Sequence, residues 1–83
     1  MTTEAQLRKF ILQNFMFTED ESRLTREMSL IDNGVMDSTG VLELVGHIEA
    51  SFGIKVDDTE LVPDNFDSVA RLVAYVERKQ AEA

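Results

Sequence analysis

Apolar residues recur every three or four positions in three separate segments of this 83-residue chain. Such spacing places the apolar side chains on one face of an α-helix, whereas no segment alternates as a half-buried strand does. The three apolar faces consist of Leu7, Phe10, Ile11 and Phe15; of Val41, Leu44, Val45, Ile48 and Phe52; and of Val69, Leu72, Val73 and Val76. The spacing therefore predicts three main amphipathic helices.

The ends of these helices follow from capping residues. We expect the first helix over about residues 3–16, capped by Thr2 or Thr3, with a capping-box pattern over 3–6. The second begins at Ser38 and stops at Gly53, and Pro63–Phe66 forms one short helical turn. Asp67 or Ser68 caps the last helix. The predicted fold is all-α: a small antiparallel four-helix bundle, with a short third helix, in a single domain over residues 1–83.

A long connection of poor periodicity separates the first two helices, over residues 17–37. Loops of this length tend to be functional or to contain short helical turns. We expect Asn33-Gly34 to form a tight turn near its end. Four apolar residues are expected to hold the loop against the core: Leu24, Met28, Leu30 and Ile31.

Charge and composition exclude several function classes. Eight Lys and Arg oppose sixteen Asp and Glu, giving a net charge of −8, which disfavours nucleic acid and anionic membranes. Cysteine is absent and His47 is the only histidine, so a multi-histidine metal site or a conventional catalytic triad is not expected. The small size and this composition point away from a self-sufficient enzyme, so we expect a non-catalytic protein. No secretion signal and no membrane span is recognisable, so we expect it to be cytoplasmic.

Ser38 is the one residue whose position suggests chemistry. The long loop delivers it to the start of the second helix, where unpaired backbone N–H groups and the helix dipole favour a phosphate group. The alternative is that Asp37 or Ser38 is an ordinary helix cap. His47 lies nine positions further along the same helix, too far to act as a base for nucleophilic catalysis by Ser38, so an esterase is disfavoured.

The segment Gly-Val-Met-Asp-Ser-Thr-Gly-Val-Leu-Glu-Leu-Val, over residues 34–45, is followed by Phe-Gly-Ile over 52–54. This pattern resembles the acyl carrier protein superfamily around its phosphopantetheine-attachment serine, and the resemblance covers nearly the whole chain. Within the superfamily, Gly-hydrophobic-hydrophobic-Asp-Ser followed by Thr-Gly, over residues 34–40, is most similar to the D-alanyl carrier branch and related stand-alone carriers. The later Phe66-Asp67-Ser68 is similar to that branch too, where an aromatic-Asp-Thr opens the last helix.

The resemblance implies roles for five residues. Ser38 matches the serine that receives 4′-phosphopantetheine from coenzyme A. Asp37 matches the aspartate that helps to place Mg²⁺ in the complex with the transferase. Thr39, Glu43 and Glu49 match positions that the family presents to its partners, although exposed glutamates are usually only a solvated face. The resemblance implies no catalytic residue and no metal site within the chain itself.

The implied partners are a phosphopantetheinyl transferase, an adenylate-forming acyl or aminoacyl ligase, and downstream acyl-transfer enzymes that meet a monomeric carrier. Thr39, Gly40 and Gly46 depart from the fatty-acid type of carrier, which favours a specialised pathway over housekeeping fatty acid biosynthesis. Two alternatives stay open: a D-alanyl carrier for cell-wall polymers, and an acidic helical module that docks non-covalently without a cofactor.

One further question concerns the interior of the bundle. The residues expected there are Val41, Leu44, Val45, Ile48, Leu72 and Val76. In the family, such residues can shelter an acyl chain, whereas by default they are simply core.

Overall fold

The computed structural model describes residues 2–82, which contain helices and turns but no β-strand. The helices are α1, Thr3–Ile11; α2, Ser38–Phe52; α3, Pro63–Phe66; and α4, Val69–Glu82. Two short 3₁₀ turns, Glu21–Arg23 and Asp58–Glu60, lie in the connections. The prediction of a small four-helix bundle with a short third helix is confirmed.

The first helix ends in a turn of unusual width. Thr2 caps α1, because its Oγ1 accepts the Ala5 N–H at 3.1 Å. After Ile11 the chain continues as a π-helical turn, Leu12–Met16, and ends at Phe17 in the left-handed region, with φ 53°. The expected extent of about 3–16 is therefore right, although its last turn is wider than an α-helical one.

The core lies between α1, α4 and the inner face of α2. Fully buried side chains come from all three helices and from the long loop, including Leu7, Ile11, Leu24, Leu30, Leu44, Ile48, Leu72 and Val76. The short α3 adds Phe66, whose ring packs against Tyr75 with centroids 5.1 Å apart. Leu24 and Leu30 anchor the loop as expected, and Met28 packs against the core from a half-buried position.

Ile31 does not anchor the loop, contrary to the expectation from its apolar character. Its side chain is 43% exposed, whereas the adjacent Leu30 is fully buried. The cause is the tight turn predicted at Asn33-Gly34. Gly34 adopts φ 70° and its N–H donates to the Ile31 carbonyl at 3.1 Å, so the backbone reverses here.

Asp67 holds the loop in place from the other side of the bundle. Its carboxylate accepts the Ser29 hydroxyl at 2.7 Å and the Ile31 N–H at 2.9 Å. Its backbone carbonyl accepts the Leu30 N–H at 2.9 Å. Asp67 therefore ties the loop to the start of α4, while Ser68 is the cap, since its Oγ accepts the Arg71 N–H at 3.1 Å.

A polar network joins α4 to the connection before α3. Glu60 Oε1 accepts the Tyr75 hydroxyl at 2.9 Å and the Lys79 ammonium at 3.1 Å. The hydrogen bond from Lys79, followed by those from the Asp57 backbone and Tyr75, lowers the pKa of Glu60. Burial, then the bond to Glu60, raises the pKa of Tyr75. The network holds the second connection against α4.

Candidate functional site

Ser38 is the first residue of α2 and is exposed to solvent. Asp37 precedes it as the N-terminal cap, because its Oδ1 accepts the Gly40 N–H at 2.9 Å. The Asp37 carbonyl then accepts the Val41 N–H at 3.0 Å, which starts the helical ladder. Of the two capping candidates, Asp37 is the cap, and the Ser38 hydroxyl is not used for that purpose.

The start of α2 fits a phosphate group on Ser38. No residue within 2–82 accepts the backbone N–H of Ser38 or Thr39, so two donors remain at the positive end of the helix dipole. A phosphodiester on the Ser38 hydroxyl would find both donors close to its point of attachment. The exposed hydroxyl also allows another enzyme to reach it.

Gly40 allows two other segments to approach the start of α2. Gly40 is buried, and a Cβ built there would lie 2.9 Å from Met36 Cβ and 3.1 Å from Phe15 Cε1. The loop and the π-helical turn therefore both pack directly against the backbone behind Ser38. From the sequence, Gly40 was recognisable only as a departure from a family pattern. The missed signal was a glycine in the first turn of a helix, where its low propensity needs a reason.

The π-helical turn places a row of aromatic rings beside α2. Phe10 meets Phe15 edge-on at 5.7 Å and stacks on His47 at 3.9 Å. Residues five apart in an α-helix point about 140° away from each other, whereas a π turn brings them to one face. The sequence carries no recognisable signal for this turn. Its effect is to hold Phe15 against Gly40, directly behind the candidate site.

His47 is remote from Ser38. Nine residues of helix separate the two by about 13 Å along the axis, beyond the reach of a general base. Its Nε2 is buried without a hydrogen-bond partner in the described structure, and burial lowers the pKa of the imidazole. The structure therefore gives His47 a packing role on Phe10 and no role at the serine.

The three expected partner-binding residues have different surroundings. Thr39 and Glu43 are exposed on the first turns of α2, near Ser38. Glu49 is half-buried, and its Oε2 accepts the Val56 N–H at 2.9 Å. Six helical residues separate the two glutamates, which places them roughly 120° apart around the axis. The structure thus brings Thr39 and Glu43 together with Ser38 and leaves Glu49 apart from them.

The residues expected in the interior divide into two groups. Leu44, Ile48, Leu72 and Val76 are fully buried, whereas Val41 and Val45 are half-buried and pack on the edge of the core. All six residues pack in the core or against it.

Residues 2–82 bring together no group of three His, Asp or Glu side chains that could hold a metal ion. Within the same range, no helix combines the length and apolar character needed to cross a membrane.

Comparison with known proteins shows the class to which this helical bundle belongs. The family model described as "Phosphopantetheine attachment site" matches residues 8–76, which is most of the chain. The chain therefore belongs to the phosphopantetheine-attachment family of carrier proteins.

Individual relatives support the same class. The chain is 42% identical over 60 residues to the acyl carrier protein of Thermotoga maritima, covering 72% of each chain. It is 40% identical over 65 residues to the D-alanyl carrier protein of Streptococcus pyogenes, covering 78% of this chain and 81% of that one. A solution structure of a holo acyl carrier protein from Nitrosomonas europaea matches with a TM-score of 0.79 and 26% identity, covering 98% and 99% of the two chains.

These findings confirm the resemblance to the acyl carrier protein superfamily, including its D-alanyl carrier branch as a relative. The chain is a carrier domain, and its cofactor is covalently bound 4′-phosphopantetheine. When attached, this group supplies a terminal thiol that can hold an acyl group as a thioester. Carrier proteins are in general not catalysts, which agrees with the isolated position of Ser38.

Proposed function

We propose that Ser38 is the residue that carries the phosphopantetheine arm. The observation that supports this most is its combination of exposure with a helix start whose cap is already provided by Asp37. The Ser38 hydroxyl is thus free for modification, while two unpaired N–H groups lie beside it. Thr39, the adjacent residue with a hydroxyl group, is the second residue of α2.

The transfer reaction requires an enzyme other than this chain. The Ser38 oxygen attacks the phosphorus of coenzyme A nearer to pantetheine, a new O–P bond forms, and the pyrophosphate P–O bond breaks. Adenosine 3′,5′-bisphosphate leaves, and the proton of the serine hydroxyl passes to a base. Because His47 is about 13 Å away along the helix, that base belongs to the phosphopantetheinyl transferase.

Asp37 has two roles in this proposal. Its Oδ1 caps α2 through the Gly40 N–H, and Oδ2 makes no hydrogen bond within the described residues. The second oxygen is available to a Mg²⁺ ion that the transferase holds on the phosphates of coenzyme A. The cap also fixes the carboxylate next to the attacking hydroxyl.

The arm carries acyl or aminoacyl thioesters between an adenylate-forming ligase and downstream acyl-transfer enzymes. We place this cytoplasmic, monomeric carrier in a specialised pathway, because Thr39, Gly40 and Gly46 replace larger or acidic residues of the fatty-acid type. A D-alanyl cargo is the first alternative, since a D-alanyl carrier protein is among its relatives. The net charge of −8 steers the domain towards basic partners. Thr39 and Glu43 form the docking surface beside Ser38, and Glu49 is a separate partner contact on another face of α2.

The attachment residue is tested by intact-mass analysis after incubation with coenzyme A, Mg²⁺ and a broad-specificity phosphopantetheinyl transferase. We expect one added phosphopantetheine on the wild type and none on Ser38→Ala. Ser51→Ala removes another exposed hydroxyl of α2, outside the proposed docking surface, and should be modified normally. No mass gain on the wild type would favour the non-covalent docking module instead.

Two variants of Asp37 distinguish its role as the cap of α2 from its role in supporting the transfer reaction. Asp37→Asn keeps a side-chain oxygen for the cap but loses the charge, whereas Asp37→Ala loses both. We expect both variants to be modified much more slowly, while only Asp37→Ala loses about 1 kcal/mol of stability. Rates come from timed mass spectra, and stability comes from urea unfolding. Normal modification of Asp37→Asn would show that Asp37 is only a cap.

A further inference from the structure

An open groove of about 660 Å³ lies beside the start of α2. The π-helical turn forms one wall through Asn14 and Phe15, and the end of the long loop forms the other through Ile31 and Val35. The first turns of α2 close its end through residues that include Thr39. We call this feature the loop groove.

The loop groove is continuous with the proposed attachment residue. Asp37 and Thr39, the two neighbours of Ser38 in the chain, both line it. A group attached to the Ser38 hydroxyl therefore begins at the edge of the groove. The buried stripe of α2, which includes Leu44 and Ile48, is occupied by the core.

The lining of the groove suits a neutral ligand with apolar and amide parts. Phe15 and Val35 are half-buried and Ile31 is 43% exposed, so the walls offer apolar surface. The Nδ2–H of Asn14 donates a hydrogen bond to the Phe10 carbonyl at 3.0 Å, which orients the carboxamide. Its oxygen can then accept a hydrogen bond from a ligand. Thr39 adds a hydroxyl. Such a mixture of apolar walls with a few polar groups is typical of small-molecule sites.

The charges of the groove restrict what can lie in it. Asp37 and Glu43 both line it, and no basic side chain does. A phosphate or a free carboxylate would be repelled there. The pantetheine part of the arm is neutral: it carries two methyl groups, a hydroxyl and two amides between its phosphate and its thiol.

The exposed position of Ile31 is maintained by the fold. The Asp67 carboxylate accepts hydrogen bonds from the Ile31 N–H at 2.9 Å and the Ser29 hydroxyl at 2.7 Å. These bonds fix the backbone of the loop that forms this wall of the groove. Gly40 has no side chain, so Phe15 and Met36 can pack closely against the backbone of α2 at the base of the groove. Contacts within the chain thus fix the walls of the groove, which lowers the cost of binding.

We propose that the loop groove holds the neutral pantetheine section of the arm attached to Ser38 while the carrier is not docked on an enzyme. This inference rests on the proposed attachment at Ser38. The phosphate stays at the start of α2, the methyl groups pack against Ile31 and Val35, and an amide N–H donates to the Asn14 carboxamide oxygen. A partner enzyme that draws the arm into its own active site must first lift it from this groove.

Nuclear magnetic resonance of the apo and holo chains tests the proposal. Intact mass first establishes that one phosphopantetheine has been added. We then expect backbone amide shifts at Phe15 and Val35, and nuclear Overhauser effects from the arm methyl groups to the side chains of Ile31 and Val35. Shifts confined to 37–40, without such effects, would overturn the proposal, as would effects to Val41 or Val45 on the other side of α2.

A matched pair of variants checks that the contact is specific. Ile31→Ser removes an exposed apolar side chain from the groove, whereas Val62→Ser removes one that is 40% exposed outside it. We expect Ile31→Ser to lose the Overhauser effects to Val35 and Val62→Ser to keep them, with the same mass gain in both. Equal loss in both variants contradicts the proposal. If the wild type gains no mass, the proposed attachment at Ser38 is wrong. If the chain is modified but the arm makes no contact with the groove, only the proposed binding in the groove is wrong.

Discussion

The two longest helices use their apolar residues differently. α4 has 14 residues and buries Val69, Leu72, Val73, Tyr75 and Val76. α2 has 15 residues and buries only Gly40, Leu44 and Ile48, although it contains fewer charged residues than α4. Leu42 of α2 is 63% exposed. The difference indicates that α4 is built to hold the core, whereas α2 is built to present a surface around Ser38.

The ends of the two helices show the same division. α4 follows Ser68, a buried cap whose neighbour Asp67 ties down the long loop. α2 begins at an exposed Asp37-Ser38 pair whose backbone donors remain partly unused. One helix start thus stabilises the fold, whereas the other keeps an exposed hydroxyl and backbone donors that no described residue uses.

The largest expected effect comes from truncating matched leucines of the two helices. Leu72→Ala in α4 should lower the free energy of unfolding by about 2–5 kcal/mol, because it leaves a cavity in the core. Leu42→Ala in α2 should change it by less than about 0.5 kcal/mol, because the side chain is mostly exposed. Urea unfolding measures both. Similar losses for the two variants would remove the distinction between the helices.

A smaller contrast is expected within α2 itself. Gly40→Ala should cost about 1–3 kcal/mol, because its methyl group would overlap Met36 and press on Phe15. Gly46→Ala should gain up to about 1 kcal/mol, because no atom lies within 4 Å of the added carbon and alanine favours the helix. Thermal unfolding of both variants measures the difference. A stabilised Gly40→Ala would contradict the close approach behind Ser38.

The smallest expected effect is the pH dependence that His47 contributes. Burial lowers the pKa of His47, so the unfolded chain binds this proton more readily than the folded chain does. Stability should therefore fall as pH drops below about 6.5, the ordinary histidine pKa, and level off below the native pKa. His47→Phe keeps a ring against Phe10 and removes the titration.

The measurement compares urea midpoints of wild type and His47→Phe between pH 7.5 and about 5, above the range in which ordinary carboxylates titrate. The midpoint of the wild type should decline relative to that of the variant. Parallel midpoints would mean that His47 titrates alike in the folded and unfolded chains.

The helices and the position of Ser38 were predictable because they depend on local patterns. Apolar spacing locates α2, and the Asp-Ser pair marks its start. The π-helical turn was not predictable, because it depends on Phe10 stacking on His47 and on Phe15 reaching Gly40. These contacts join distant parts of the chain, and no short motif encodes them.

Two residues, Ile31 and Asp67, have positions or contacts that their residue types alone did not predict. Ile31 is apolar and was expected in the core, but the turn that ends at Gly34 places it outside. Asp67 was considered only as a cap, whereas its hydrogen bonds reach 36 and 38 residues back along the chain. The loop groove depends on both residues, so it emerges only once the chain is folded.

The proposed carrier function depends most on which atom of the chain is modified. Protein isolated from its native host, digested and fragmented in a mass spectrometer, locates the phosphopantetheine on a single residue. We predict that every modified peptide carries it on Ser38 and that Thr39, the next hydroxyl, is always bare. A Ser38 that is never modified, or an arm located on Thr39 instead, would contradict the account.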